Sequence, residues 1–171
     1  KEVQFQVSIV WDPSEYDDDI KWMAKSLLDI VLIDHEEQTV TPVDLKTTSR
    51  SIYKFPNEFL RWRYYLQASY YWHGLYQRVN NNDKISDYIM KPFEFVVISQ
   101  KDVYHPLVYP TTENTLQKGK DGGHLERWNT DVRGWIQLIK DLKWHEREGK
   151  WNYSREIYEN NGKVELSVFD S

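Results

Sequence analysis

Leu27-Leu28-Asp29-Ile30-Val31-Leu32-Ile33, the polar turn Asp34-His35-Glu36-Glu37, and Val40-Thr41-Pro42-Val43-Asp44-Leu45 running on into Lys46-Thr47-Thr48 decide the fold. The first segment is a nearly continuous aliphatic and β-branched run, the pattern of a buried strand. The second returns after a short polar turn, so the pair predicts a hairpin. Pro42 has no N–H to give to a ladder, which predicts an edge position or a bulge for the returning strand.

Outward from this hairpin, Gln4–Trp11 alternates like a strand and Asp12-Pro13-Ser14 is a turn. The acidic stretch Glu15–Asp19 follows as a solvated loop. From Asn57, a plausible N-cap, to about Val79 the pattern turns helical. Phe59, Trp62, Leu66 and Tyr70 fall at helical spacing and are expected in the core. Phe93–Ile98 and Val103–Tyr109 read as two antiparallel strands. Gly122-Gly123 then separates them from a long amphipathic helix over Leu125–Glu148, with Trp128, Val132, Trp135, Ile139 and Leu142 on its apolar face. Lys163–Phe169 adds a final strand. The expected architecture is one α/β domain over residues 1–171, a mixed β-sheet flanked by helices.

A chain of 171 residues with 8 Trp, 12 Tyr and 6 Phe has enough apolar bulk for one sizeable core. It has no run of 18 apolar residues for a membrane span, and because Lys1–Val10 alternate like a strand no secretory signal is expected there. Cysteine is absent, which removes disulfide frameworks, thiolate zinc sites and cysteine-held iron–sulfur clusters, and fits a reducing cytoplasm. The first residue is Lys1, directly on a strand pattern, and we expect an N-terminal portion to be missing. The net charge of -5 argues mildly against a polyanionic partner, yet base is denser between Arg50 and Arg63.

Side chains alternate along a strand, so Asp44 and Lys46 point the same way. Asp29, on the preceding strand of the hairpin, lies close to where they emerge. Two carboxylates held together repel, and a divalent cation relieves that repulsion. Hard oxygen ligands with room for water and phosphate oxygens suit Mg²⁺ or Mn²⁺. Such a metal polarises a scissile phosphate, and a lysine beside it stabilises the charge that develops. On the following helix, Gln67 sits among aromatic residues and needs a partner, either in this site or as a cap on a backbone group.

These residues resemble the RecB-type nuclease domains of the PD-(D/E)xK superfamily, and among them the RecE, YqaJ and λ-exonuclease-like phage enzymes. The family's Asp, its Asp/Glu-x-Lys and its helical Gln-x-x-x-Tyr match Asp29, Asp44-Leu45-Lys46, and Gln67 with Tyr71. Leu28 stands where the family name has Pro. The resemblance spans roughly Asp29 to Trp151 and implies a restriction-endonuclease-like core. It implies an Mg²⁺-dependent or Mn²⁺-dependent DNA nuclease, an exonuclease serving recombination, replication or repair, in a host cytoplasm if phage-encoded. Asp29, Asp44, Lys46, Gln67 and Tyr71 are then the catalytic set. Asp29, Asp44 and the Leu45 carbonyl are the metal ligands, with Glu2 as the candidate for the family's further upstream ligand. Thr47, Arg50, Arg61 and Arg63 are candidate DNA contacts. Partners implied are DNA and no membrane, with a homo-oligomer or a phage recombination protein left open. Two other classes remain: a catalytically silent relative acting as a DNA-binding or assembly module, and an aromatic-rich carbohydrate-binding domain. The second predicts exposed coplanar rings.

Overall fold

The computed structural model describes residues 1–101, 105–126 and 129–164. The hairpin forms as expected: β2 (Ala24–Asp34) pairs antiparallel with β3 (Thr39–Thr48), from Asp34–Thr39 to Ile30–Val43. Along β2's other side runs β1 (Glu2–Trp11), also antiparallel. Beyond β3, two helices, α1 (Phe55–Arg61) and α2 (Tyr64–Asn80), carry the chain to β4 (Ile89–Met90) and β5 (Glu94–Ser99). Both of these strands pair with β3 in parallel, and β6 (Leu107–Pro110) closes antiparallel on β5. The result is a six-stranded mixed sheet in the order β1-β2-β3-β5-β6, with β4 beside β3.

Pro42 is therefore in a central strand, against the edge position expected for it, and it is fully buried. The Val40 carbonyl accepts from the Lys91 N–H on the β4 side. Alternation turns the Pro42 nitrogen to that same side. There β4 has ended at Met90 and β5 first pairs at Val43, so no ladder bond is lost.

The helix expected over residues 57–79 is two helices. α1 begins at Phe55, two residues before Asn57, and ends at Arg61, capped by Trp62, whose N–H returns to the Glu58 carbonyl. Arg63 then adopts a left-handed backbone, φ 55°, and α2 restarts at Tyr64. Phe59, Leu66 and Tyr70 pack against the core, but the break turns Trp62 outward, to 59% exposed.

Further on, α3 (Glu113–Asp121) was not expected, and the first part of the helix expected over 125–148 is a small hairpin of β7 (Gly123–Leu125) and β8 (Thr130–Val132). Gly122 ends α3 with φ 80°, a conformation that glycine adopts without strain. Helix α4 (Trp135–Glu148) follows, with Trp135 buried and Leu142 exposed, and a short α5 (Arg155–Glu159) comes last. Trp128, residues 103–104 of the strand expected before Tyr109, and residues 165–169 of the expected final strand lie outside the described residues.

Helix α2 crosses β1, β2 and β3, α3 packs on α2, and α4 on α3. The core beneath α2 is apolar and aromatic. Trp11 meets Tyr70 edge-on at 4.9 Å and Trp135 at 5.7 Å, and its indole N–H donates to Ser26 Oγ at 3.0 Å. Such pairs add about 0.5–1.5 kcal/mol beyond area burial. Among the described residues no helix is long and apolar enough to cross a membrane.

Candidate active site

The β2–β3 ladder stops at Ile30–Val43, one step before Asp29 and Asp44 would face each other. From there β2 stays with β1 and β3 goes with β5, pairing Asp44 with Phe95 and Lys46 with Val97. The two strands part, and Asp29 fills the gap: its Oδ2 accepts the Leu45 N–H at 3.0 Å. On its other side the β1–β2 ladder skips a step, pairing Phe5 with Ile30 and Val7 with Leu28 but not Gln6 with Asp29. Gln6 has φ 50°, and its Nε2 donates to Asp29 Oδ1 at 3.3 Å. Both oxygens of Asp29 are thus held by donors on the flanking strands.

Asp44 is buried, at 3% exposed. Its Oδ1 accepts from Gln67 Nε2 on α2 at 2.6 Å. Its Oδ2 is sealed from solvent, and among the described residues its one partner is the Lys46 ammonium, with which it forms an ion pair. Burial pushes the Asp44 carboxyl above the ordinary carboxylate range; the Lys46 ammonium opposes this and the Asp29 charge adds to it. Lys46 Nζ also lies 4.7 Å from the centre of the Tyr64 ring and 5.8 Å from that of Phe95, so aromatic faces back the ammonium. Tyr71 follows Gln67 by one turn and so shares its face of α2; burial, then the Asp44 charge, raise its hydroxyl pKa, a Leu27 backbone hydrogen bond opposes the shift, and the Asp29 charge adds to it.

Four of the expected residues therefore converge, Asp29, Asp44, Lys46 and Gln67, with Tyr71 on the same face of α2 as Gln67. Among the described residues Gln67 caps no backbone group; its partner is the buried carboxylate. The Leu45 carbonyl joins them, because in an extended strand it leaves on the same side as the N–H that meets Asp29.

Glu2 does not converge. It pairs with Ile33 at the far end of β1, and its carboxylate accepts from Gln4 at 2.7 Å and meets His35 at 3.2 Å. Four residues of strand, roughly 13 Å, separate it from Gln6. Thr47, expected as a DNA contact, lies between Lys46 and Thr48 and so points to the exposed face of β3 opposite Lys46. Arg50 lies beyond the end of β3 with its Nε 3.7 Å from Glu58, and Arg61 and Arg63 stand exposed at the α1–α2 break. Gln6 is the residue that sequence reasoning passed over. Its polar side chain within an alternating strand gave no sign of a left-handed backbone.

Among the described residues no three His, Asp or Glu side chains gather as a metal cluster. The donor set still fits Mg²⁺, which is commonly held by one or two carboxylates, with waters and substrate phosphate oxygens completing its shell. The Asp44 Oδ2, buried and met by a lysine ammonium alone, is the observation that favours a cation here.

No family model matches this chain, and no curated protein matches it. The chain aligns over 98% of its length with the crystal structure of a protein named as a putative exonuclease from Eubacterium rectale, at 12% identity and a TM-score of 0.46. It spans 56% of that protein's chain.

Proposed function

We propose that the cleft between β2 and β3 hydrolyses phosphodiester bonds in DNA, as a PD-(D/E)xK-type, Mg²⁺-dependent or Mn²⁺-dependent nuclease acting as an exonuclease. The observation that carries this is the buried Asp44, fixed by Gln67 on one oxygen and facing Lys46 with the other, across the parted strands from Asp29. A structural ion pair would not need a second carboxylate brought to the same edge, since like charges side by side cost stability.

Asp29, Asp44 and the Leu45 carbonyl would hold the metal, which supplies Lewis-acid activation of water and charge neutralisation at the phosphate. The protein's part is orientation. Gln67 fixes the plane of the Asp44 carboxylate, and the Leu45 N–H and Gln6 amide fix that of Asp29. The Lys46 ammonium sits within reach of the phosphate that approaches these carboxylates, where it orients the attacking water and stabilises the extra negative charge of the transition state. Water oxygen bonds to phosphorus as the phosphorus–oxygen bond to the leaving nucleotide breaks.

The test is hydrolysis of end-labelled linear DNA and of circular DNA with Mg²⁺, with Mn²⁺ and with EDTA, comparing wild type with Lys46→Ala. Loss of linear DNA that needs metal and Lys46, with circular DNA spared, is the expected result. Cleavage of circles would make the enzyme an endonuclease. A folded wild type inert with both metals would sink the hydrolase reading in favour of a silent DNA-binding module.

A further inference from the structure

We propose that the elbow between α1 and α2 is a nucleobase-stacking site, in which Trp62, flanked by Arg61 and Arg63, takes an unpaired base of the DNA strand engaged by the neighbouring cleft. The inference rests on the nuclease reading and adds a substrate class to it: single-stranded DNA or a frayed end.

Continuous helical spacing would put Trp62 on the core face with Phe59 and Leu66. Instead the chain breaks at Arg63, in a left-handed conformation that costs a non-glycine residue roughly 1–2 kcal/mol. The break delivers an indole to solvent at 59% exposure, and the Arg61 guanidinium lies 5.1 Å from its ring centre. A turn whose only task was to redirect the chain would favour Gly or Asn at the left-handed position. This one carries Arg-Trp-Arg.

Position and charge point to the ligand. Trp62 and Tyr64 are two residues apart, so their Cα atoms lie no more than about 7.6 Å from each other. Tyr64 is the ring against Lys46 Nζ, and Gln67 one turn later holds Asp44. The elbow thus adjoins the first turn of α2, which carries Tyr64 and Gln67 to the cleft. Between Arg50 and Arg63 the sequence has four basic residues, all exposed, and a single acidic one, Glu58, inside a chain of net charge -5. Glu58 is itself engaged by Thr48 Oγ1 and Arg50. A locally basic surface on an acidic protein suits a polyanion, and an exposed indole within it adds a face on which any base stacks. Trp151 is exposed to the same degree, but its ring stacks on His145 at 5.5 Å, and among the described residues nothing ties it to the cleft. Bases inside a duplex are already stacked and paired, which restricts the site to unpaired ones.

The test uses the full chain bearing Lys46→Ala to prevent hydrolysis, in Mg²⁺, with a labelled single strand of about 15 nucleotides, the same strand carrying one abasic site at successive positions, and a blunt duplex. Trp62→Ala is expected to weaken single-strand binding roughly 5- to 150-fold, the equivalent of ~1–3 kcal/mol for one stacked base, while Trp62→Phe retains most of it. At one abasic position Trp62→Ala should make no further difference. Arg61→Gln and Arg63→Gln should each flatten the salt dependence. Equal single-strand affinity for Trp62→Ala and its parent overturns the stacking site and leaves the nuclease reading untouched. Binding that responds to Trp62 alongside a wild type that cleaves nothing supports the elbow and removes the hydrolase. A chain that neither binds nor cleaves DNA overturns both.

Discussion

Asp29 and Asp44 are held by different kinds of neighbour, and the difference predicts what each substitution does. Asp44 is buried and relies on Gln67 for its Oδ1. Gln67→Ala strands that oxygen, which should cost about 1–3 kcal/mol of stability. It should also lower metal affinity or activity by roughly 10- to 100-fold, the usual effect of removing an outer-shell partner. Thermal denaturation and isothermal titration with Mn²⁺ read the two separately. Gln6 differs because its backbone is strained and its side chain useful. Gln6→Gly relieves the left-handed conformation and should stabilise the fold by up to ~1 kcal/mol, while freeing Asp29 Oδ1 and lowering activity. A glycine variant equal to wild type in activity would show that the Asp29 contact is idle. Asp29, Asp44, Lys46 and Gln67 are legible in the sequence because strand alternation and helical spacing carry them. Gln6 is not. Val3, Phe5, Val7, Ile9 and Trp11 alternate without interruption, yet Val3 and Phe5 are exposed and the other three buried, because the turn of backbone at Gln6 reverses which side faces the core.

At the scale of elements, the β2–β3 hairpin follows from its apolar run and polar turn, whereas the helices follow only in part. Periodicity alone cannot see a single left-handed residue, so Arg63 divides what reads as one helix. Apolar residues at helical spacing also recur in the β7–β8 hairpin, where Gly122, Gly123 and the left-handed Asn129 set the path. Helix α3 is short and polar; only the Thr112 cap, accepting from the Thr115 N–H at 3.1 Å, marks its start. What α3 contributes is close approach to α2. A Cβ on Gly119 would lie 2.4 Å from the Tyr65 carbonyl oxygen and 2.5 Å from Ser69 Cβ, and neither backbone nor buried serine can step aside. Gly119→Ala should therefore cost about 1–3 kcal/mol by overpacking, despite the better helix propensity of alanine, and urea denaturation would measure it. A neutral or stabilised variant would mean that the two helices slide apart freely, and α3 could not then be a fixed support for the helix that carries Gln67.

For the molecule as a whole, the order of the sheet is the least legible feature, since placing β3 at its centre depends on β5 returning in parallel after α1 and α2, a long-range pairing that no local pattern encodes. The centre of the core is where acid should act. His73 on α2 is buried among Tyr16, Trp72 and Trp135, and its Nδ1 meets the Ser69 carbonyl at 2.7 Å. Burial holds its pKa below the ordinary 6.5; the Ser69 carbonyl opposes the shift, Lys120 of α3 reinforces it and Asp121 opposes it. In the unfolded chain the same imidazole takes up a proton near 6.5. Between the depressed folded value and 6.5 the unfolded state binds more protons than the native one, so stability rises with pH through that window and is lost as pH falls below about 6.5. Each unit of depression is worth ~1.4 kcal/mol of stability, lost in full once pH has fallen below the folded value. His73→Gln keeps a donor for the Ser69 carbonyl and has no proton to gain. Its melting temperature should therefore depend less on pH than that of wild type across this window, whatever its value at neutral pH. Parallel curves for the two proteins would mean that the imidazole is protonated inside the fold, and the aromatic core around it would have to open far enough to admit water.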